Sequence, residues 1–247
     1  MLEFPVGRNI ADLSASTRHT VAKWGPELTA RVREHGVLKA AVFDLGRVVV
    51  PFHFSAAAEA LCRNEKWNYT PELETTLMTS PHKVELERGT ITFEDFFSRL
   101  SQDLGIKKTS VSQFEAMWAD IFTLNPATES LMSALNAGGV RLMILSDTSP
   151  VHFRRMAELS TNVSNVEWKI LSCMYGVMKA DGERLFSRAI TTLANSGIAP
   201  HEAVYFDDIE KYTSTAISLG LPAMQFFSPY DAARLIEEVW GLKTGLI

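Results

Sequence analysis

Three apolar runs in this sequence each end on side chains that could take part in phosphate chemistry. The polar residues that follow them are Asp44, Ser146 and the adjacent pair Asp207 and Asp208. If the runs are neighbouring parallel strands, one crevice at the carboxyl ends of the sheet holds three carboxylates and a hydroxyl. Carboxylates crowded in this way repel one another unless a cation lies between them. The pattern therefore indicates a site for a divalent cation and a phosphoryl group.

Each of these residues has a role open to it in such a site. The Asp44 carboxylate could attack phosphorus and form an aspartyl phosphate. The Ser146 hydroxyl and the backbone N–H groups after it could hold phosphate oxygens at a helix N-terminus. Hard carboxylate ligands such as Asp207 and Asp208 suit Mg²⁺, which keeps several waters and binds substrate phosphate. Taken singly, Ser146 is better explained as a helix N-cap, and an aspartate at a strand end such as Asp44 is often only a turn or cap residue.

A lysine completes the set of candidate residues. Lys179 lies in the segment Gly176-Val177-Met178-Lys179, ahead of a predicted helix. A lysine fixed beside the carboxylates would offset their charge and hold the phosphoryl group, although a lone lysine before a helix is usually only a solvated surface charge.

Strands alternate with helices in the second half of the chain, which predicts βαβ units and a parallel sheet. Predicted strands lie at 40–44, 140–146, 169–172, 203–207 and 223–226. Between the first and second strands, about seventy residues show only helical patterns, including a capping-box-like start at Thr92-Phe93-Glu94-Asp95. The predicted fold class is α/β, with helices on both faces of a Rossmann-like sheet and an all-helical insertion after the first strand.

Composition limits the function classes. The chain has 247 residues, 46% of them hydrophobic, which is enough to bury a sizeable core. A net charge of −5 without a basic run gives no reason to expect nucleic acid as a partner. No apolar run approaches the length of a membrane span, and Met1–Pro5 does not begin a signal-peptide pattern, so a cytoplasmic location is expected. Cys62 and Cys173 are expected to be reduced thiols.

The N-terminal segment 1–37 is predicted to be a helical extension. Pro26 favours a helix start, and Gly36 favours its end. A packing extension is the expected role, and a contribution to a homodimer or to a cover over the site stays open.

In order and spacing, four segments resemble the motifs of the haloacid dehalogenase-like (HAD) hydrolase superfamily. They are Phe43-Asp44-Leu45-Gly46-Arg47-Val48, Leu145-Ser146-Asp147-Thr148, Met178-Lys179 and Phe206-Asp207-Asp208. The resemblance covers roughly residues 38–228. It implies an α/β core formed by 38–52 and 126–247 and a helical cap formed by 53–125. Glu87-Arg88-Gly89-Thr90-Ile91-Thr92 is similar to a segment in the caps of the sugar-phosphate phosphatase branch.

The resemblance also implies roles for individual residues. Asp44 would be the nucleophile and a metal ligand, and the Gly46 carbonyl would be a second ligand. Ser146 would hold phosphoryl oxygens together with the Asp147 backbone N–H, and Lys179 would bridge the nucleophile and the phosphate.

The acidic pair completes the implied metal site. Asp208 would bind Mg²⁺, with Asp207 as a further ligand or as a partner of the ligands. Arg47 is a candidate for contact with the substrate. The metal would neutralise charge on the phosphoryl group and align an in-line attack.

The sequence departs from the family pattern at Gly46, where most of its phosphatases carry a second Asp that acts as general acid and base. A branch resembling glucose-1-phosphate phosphatases also has Asp-x-Gly, and His53 is a candidate proton donor. Ala180 stands where Pro usually follows the lysine. The leading hypothesis is a Mg²⁺-dependent phosphatase of a small phosphorylated metabolite, with sugar phosphates among the candidates. The alternatives are a metal-independent 2-haloacid dehalogenase and a catalytically silent binding or regulatory protein on the same fold.

Overall fold

A parallel five-stranded sheet forms the centre of the computed structural model, which describes residues 9–247. The interpretation of Met1–Pro5, and of residues 1–8 of the extension, lies outside the described residues. The strands are β1 (Ala40–Phe43), β2 (Arg141–Ser146), β3 (Trp168–Leu171), β4 (Ala203–Asp207) and β5 (Ala223–Gln225). Their order in the sheet is β3-β2-β1-β4-β5, and all neighbours are parallel.

Thirteen α-helices accompany the strands in residues 9–247. They are α1 (Ala15–His35), α2 (Phe54–Glu65), α3 (Pro71–Thr79), α4 (Pro81–Arg88), α5 (Phe93–Leu104), α6 (Val111–Ala119), α7 (Pro126–Ala137), α8 (Pro150–Leu159), α9 (Thr161–Asn165), α10 (Ser172–Tyr175), α11 (Arg184–Asn195), α12 (Glu210–Ser218) and α13 (Pro229–Trp240). Single 3₁₀ turns form at Ile10–Asp12, Lys179–Asp181 and Pro200–Glu202. Throughout this range, no helix combines the length and the apolar character needed to cross a membrane.

The sheet is covered on both faces, as expected for a parallel sheet with continuous apolar strands. Phe43 and Phe206 point to the face covered by α1, α7 and α13. Val42 and Tyr205, their neighbours along the strands, point to the other face, where α11 and α12 pack. The predicted α/β class with a Rossmann-like sheet is confirmed.

Five helices, α2 to α6, form the segment inserted between β1 and α7, and we call Phe54–Ala119 the helical insert. Its aromatic side chains pack together: Phe96 and Trp118 have ring centroids 4.8 Å apart, and Phe114 stacks on Trp118 at 5.6 Å. The capping box predicted at the start of α5 is present, since Thr92 Oγ1 accepts from the Asp95 N–H at 3.1 Å. The helical patterns of the sequence therefore correspond to real helices here.

Two local predictions were wrong in their bounds. The N-terminal helix begins at Ala15 rather than at Pro26, because Ser14 caps it by accepting from the Thr17 N–H. Pro26 instead restarts the helix after a kink at Gly25, whose φ of 74° interrupts it. Ser172, predicted as the end of a strand, begins α10 and turns its hydroxyl into the protein interior.

Candidate active site

The carboxyl ends of β1, β2 and β4 meet at one edge of the sheet and carry the candidate residues. The chain leaves β1 towards β2 on one side, while β4 lies on the other side, so this edge is a topological switch point. Ligands bind in crevices of this kind in open α/β sheets. A cavity of about 390 Å³ opens there, between the sheet and the helical insert. All the predicted site residues line it except Asp207, which lies fully buried behind them.

Asp44 directly follows β1 and is 7% exposed. Its backbone N–H donates to the Phe206 carbonyl at 2.9 Å, which continues the β1–β4 ladder by one residue and fixes its position. Burial raises the pKa of Asp44 to about 7, although the nearby charge of Lys179 opposes this rise. Its Oδ1 is buried and receives no hydrogen bond, apart from an ion-pair contact with the Lys179 ammonium at 2.9 Å.

Lys179 is 3% exposed and lies between two carboxylates. Its Nζ donates to Asp207 Oδ2 at 2.6 Å and lies 2.9 Å from Asp44 Oδ1. Burial by itself would lower the pKa of Lys179, but the negative charges of Asp44 and Asp207 raise it above its ordinary value. A buried ammonium is tolerated only when it is paired in this way. The lysine predicted as a charge bridge therefore occupies that position.

The Asp207 carboxylate is fully buried and accepts several hydrogen bonds. Oδ1 accepts from the Ile209 N–H at 2.8 Å, and Oδ2 accepts from Lys179 Nζ and from the Tyr205 hydroxyl. These partners hold Asp207 in place behind the cavity wall. Its geometry fits a residue that positions Lys179 and contributes charge to the site from behind.

Asp208 and Arg47 lie nearer to solvent. Burial, and then the charge of Asp207, raises the pKa of the half-buried Asp208 carboxyl. The Arg47 guanidinium lies 3.9 Å from Asp208 Oδ2 and over the Phe52 ring at 5.3 Å from its centroid. With a φ of 61°, Arg47 adopts the left-handed conformation that brings the chain round the turn after Asp44.

The Asp147 carboxylate holds the Lys179 turn, whereas the family resemblance implied a role only for the Asp147 backbone N–H. Its Oδ1 accepts from the backbone N–H of Lys179 at 2.9 Å. On the same loop, Asp181 accepts from the Met178 N–H at 3.0 Å and forms a two-point ion pair with Arg88 of the helical insert. Two carboxylates therefore fix the turn that carries Lys179, and one of them is held by the insert.

Ser146 ends β2, lines the cavity and is 2% exposed. Beside it, a buried serine joins the sheet to the insert. Ser172 Oγ accepts from the Thr148 N–H at 2.9 Å and lies 2.5 Å from the Glu87 carbonyl, to which it donates. The loop after β2 and the end of α4 are thus hydrogen-bonded through one hydroxyl.

The position of the missing second acid is occupied by an aromatic ring. A Cβ added at Gly46 would lie 3.0 Å from Phe52 Cε1. Because Phe52 covers this position, a carboxylate at residue 46 would need the ring to move. Phe52 therefore packs closely against residue 46, and a small shift of its ring would be enough to admit a Cβ.

Neither nearby histidine replaces that acid in the described geometry. His152 lines the cavity, but burial lowers its pKa to about 3, so its ring is neutral near pH 7. Its Nε2 lies 3.0 Å from the Trp118 carbonyl, to which the neutral ring donates. His53 lines a neighbouring groove with Pro51 and Glu74 rather than the cavity that holds Asp44.

The carboxylates form a donor set that fits a divalent cation. Asp44, Asp207 and Asp208 each offer an oxygen, and these atoms lie within 4.8 Å of one another. The buried Asp44 Oδ1 has only the ion-pair contact with Lys179, and a carboxylate oxygen can accept a metal ion beside such a contact. Hard oxygen ligands in small number are those that Mg²⁺ accepts while keeping its waters.

Several contributors could not be found from sequence patterns. The Asp147 carboxylate, the Tyr205 hydroxyl, Ser172 and the Arg88–Asp181 pair each act through partners distant in the chain or behind the cavity wall. One signal was present for Tyr205: a tyrosine inside an otherwise apolar buried strand requires a partner for its hydroxyl.

Comparison with known proteins gives a few distant sequence relatives and many similar structures. No protein-family model matches the chain. It is 27% identical over 218 residues to mouse acyl-CoA dehydrogenase family member 10, a match that covers 82% of this chain and 19% of that protein. The chain thus corresponds to less than a fifth of that relative's length.

Solved structures resemble about three quarters of the chain. A HAD family enzyme from Bacteroides thetaiotaomicron, solved as a magnesium complex, is 20% identical and has a TM-score of 0.63, covering 77% of this chain and 93% of that one. A predicted HAD-like family hydrolase from Porphyromonas gingivalis is 22% identical with a TM-score of 0.60, covering 76% and 90%. A defluorinating L-2-haloacid dehalogenase is 16% identical with a TM-score of 0.56, covering 75% and 80%. The chain therefore has the haloacid dehalogenase-like fold.

Proposed function

We propose that this chain is a Mg²⁺-dependent phosphoric monoester hydrolase that acts through an aspartyl-phosphate intermediate on Asp44. The observation that carries the proposal is the cluster of three carboxylates, two of them buried and paired with Lys179. Crowding more carboxylates than cations in one site costs folding free energy, and a bound divalent cation would offset that cost. The HAD-like fold of the chain supports the same reading.

The chain's own residues provide most of the proposed chemistry. Asp44 attacks the phosphorus, and Lys179 offsets the charge of the carboxylates and of the phosphoryl oxygens. Ser146 and the backbone N–H groups after it hold phosphoryl oxygens at the start of α8. Mg²⁺, held by Asp44, Asp208 and the Gly46 carbonyl, with Asp207 behind them, would neutralise charge on the transferring group.

The lack of an acid at Gly46 shapes the expected substrates. The leaving oxygen takes its proton from water, because the ring of Phe52 lies where a second acid would project. Substrates with stabilised leaving groups are therefore expected to react faster. We propose that the helical insert acts as a cap that closes over the leaving group.

The proposal is tested with acetyl phosphate, a small acyl phosphate with a good leaving group that needs few contacts with the insert. Phosphate release should require Mg²⁺, and Asp44→Asn should reduce it by at least about 10⁴-fold because the nucleophile is lost. The control is Asp120→Asn, at a carboxylate whose side chain is 74% exposed. Melting curves with and without Mg²⁺ show whether the variants are folded.

Three outcomes would overturn the proposal. Phosphate release that is equal with and without Mg²⁺, or retained in Asp44→Asn, would remove the metal or the nucleophile from it. Chloride release from chloroacetate without metal, in the absence of phosphatase activity, would favour the dehalogenase. Binding of Mg²⁺ without trapping of trifluoroberyllate on Asp44 would favour a silent protein.

A further inference from the structure

The cavity has two walls of opposite character. The wall formed by the sheet carries the carboxylates, Lys179 and Ser146. The wall facing it comes from the insert, the segment after it and α8, and its apolar residues are Phe54, Met78, Val84, Ile121, Phe122 and Met156. A phosphoryl group held at the first wall would direct the rest of a substrate towards the second.

Among residues 9–247, three exposed apolar side chains lie on this cavity. Met78 and Val84 are each 41% exposed, and Ile209 at the cavity edge is 45% exposed. Leaving such side chains in water is unfavourable, at about 25 cal/mol for each Å² of apolar surface. A contiguous apolar surface that lines a concave site is typical of a ligand-binding surface.

The polar groups of the second wall are already paired. Lys83 and Glu87 form an ion pair at 2.8 Å along α4. The His152 Nε2–H is committed to the Trp118 carbonyl. Among the described lining residues there is no Asn or Gln, the neutral side chains that offer both a donor and an acceptor to a hydroxyl. A sugar ring would have to share these few engaged groups among its hydroxyls, and each hydroxyl left unpaired against the apolar residues would weaken binding.

We infer that the leaving group of the substrate is a largely apolar aryl or alkyl alcohol rather than a sugar. The inference rests on the proposed function and names the substrate class of the same site. Asp44 displaces the alcohol by forming a bond to phosphorus as the bond from phosphorus to the ester oxygen breaks, and that oxygen takes a proton from water. A second water then releases inorganic phosphate and restores the Asp44 carboxylate.

The test uses 4-alkylphenyl phosphates, because the alkyl length changes the apolar surface while leaving the acidity of the phenol almost constant. From 4-methyl to 4-butyl, kcat/KM should rise by about two- to four-fold for each added CH₂. The matched pair 4-propylphenyl and 4-(2-hydroxyethyl)phenyl phosphate differs by one CH₃ in place of OH. The propyl compound should be preferred by about ten-fold.

Substitutions in the second wall test whether the preference for an apolar leaving group arises there. The ratio of kcat/KM for 4-propylphenyl phosphate to that for acetyl phosphate should fall by about three-fold or more in Met78→Gln and in Val84→Thr. The controls are Met174→Gln and Val37→Thr, at positions that are 61% and 56% exposed and do not line the cavity. In these controls the ratio should stay at the wild-type value.

Failure of this inference can be distinguished from failure of the proposed function. A flat alkyl series, or glucose 1-phosphate or glucose 6-phosphate turned over about ten-fold faster than 4-propylphenyl phosphate, would overturn the apolar leaving group. In either case, Mg²⁺-dependent release from acetyl phosphate would leave the phosphatase proposal standing. Absence of turnover of every compound, acetyl phosphate included, would overturn both.

Discussion

The sheet edge and the helical insert form the two sides of one cavity, but they are built by different physical principles. At the sheet edge, the buried Lys179 ammonium lies within 3 Å of two buried carboxylates, those of Asp44 and Asp207. In the insert, aromatic side chains such as Phe114 and Trp118 form an apolar core, and apolar groups face the cavity. The first arrangement suits a fixed set of reacting groups, and the second suits recognition of a variable leaving group.

The two regions are joined by a small number of polar contacts. Two of them are ion pairs, Arg88 with Asp181 and Arg154 of α8 with Glu115. In two others, Ser172 donates to the Glu87 carbonyl and His152 donates to the Trp118 carbonyl. Gly89 also lies close to the Cys173 carbonyl. The charge network thus belongs to the sheet edge and the Lys179 turn, and one of the two carboxylates that fix this turn, Asp181, is itself paired with the insert.

The largest effect is expected from removal of the buried cation. Lys179→Met leaves the Asp44 and Asp207 carboxylates facing each other without compensation, so the free energy of unfolding should fall by about 3–5 kcal/mol. Urea denaturation in EDTA measures the loss, and added Mg²⁺ should recover part of it because a cation again lies between the carboxylates. Lys107→Met, at an exposed lysine of the insert, is the control. A loss of less than about 1 kcal/mol would show that Lys179 does not compensate the charges of Asp44 and Asp207.

The next largest effect is expected from Gly89→Ala, because Gly89 of the insert lies directly against the backbone of Cys173 in α10. A Cβ at residue 89 would lie 2.3 Å from the Cys173 carbonyl oxygen, and the residue has a φ of 74°. Gly105→Ala is a matched control in the same insert, with a φ of 70° and nothing within 4 Å.

The control should cost about 1–2 kcal/mol of unfolding free energy from its left-handed backbone alone. Gly89→Ala should cost at least about 1 kcal/mol more, because backbone atoms of α10 must move. Urea denaturation measures both losses. Equal losses in the two variants would mean that the insert is not seated closely on the sheet domain.

A pH effect of intermediate size is expected from His152. Burial lowers its pKa in the folded protein to about 3, below the ordinary value of 6.5. As the pH falls below 6.5, His152 therefore binds a proton in the unfolded chain but not in the folded protein, and the free energy of unfolding decreases. At pH 5.5 this group should have removed about 1.4 kcal/mol from the free energy of unfolding.

His152→Gln lacks that proton uptake, so the wild type should lose stability on acidification relative to the variant. Urea denaturation between pH 7.5 and 5 measures the difference, and His19→Gln is the control for loss of an exposed histidine. The same pH slope in both variants would contradict a buried neutral His152.

The smallest effect is expected from the exposed pair between Arg88 and Asp181, whose side chains are each 31% exposed. A double-mutant cycle with Arg88→Gln and Asp181→Asn should give a coupling of about 0.5 kcal/mol, because solvent screens the pair. Loss of this pair should change kcat more than it changes the free energy of unfolding, because Asp181 also accepts from the N–H of Met178, the residue before Lys179.

We therefore expect kcat to fall several-fold in Arg88→Gln. Arg99→Gln, which breaks a pair with Glu85 inside the insert, should change kcat much less. If the two variants reduce kcat equally, the contact with the Lys179 turn has no special role.

Sequence patterns by themselves determined the sheet, the helical insert and the position of Asp44, Ser146, Lys179, Asp207 and Asp208 at strand ends or just before a helix. Those features depend on local periodicity and on a change from apolar to polar residues, and both can be read along the chain. The start of α1 was harder to predict, because Ser14 and Pro26 both provide helix-start signals. Only the packed chain shows that a kink at Gly25 joins two helical segments.

Only the tertiary structure decided how those residues work together. It placed Asp207 behind the cavity, used the Asp147 carboxylate to hold the Lys179 turn, and covered Gly46 with Phe52. It also brought the apolar side chains of the insert to face the charged edge of the sheet. These contacts join residues that are mostly tens of positions apart, and which of them meet depends on how the helical insert packs on the sheet, which local residue patterns do not encode.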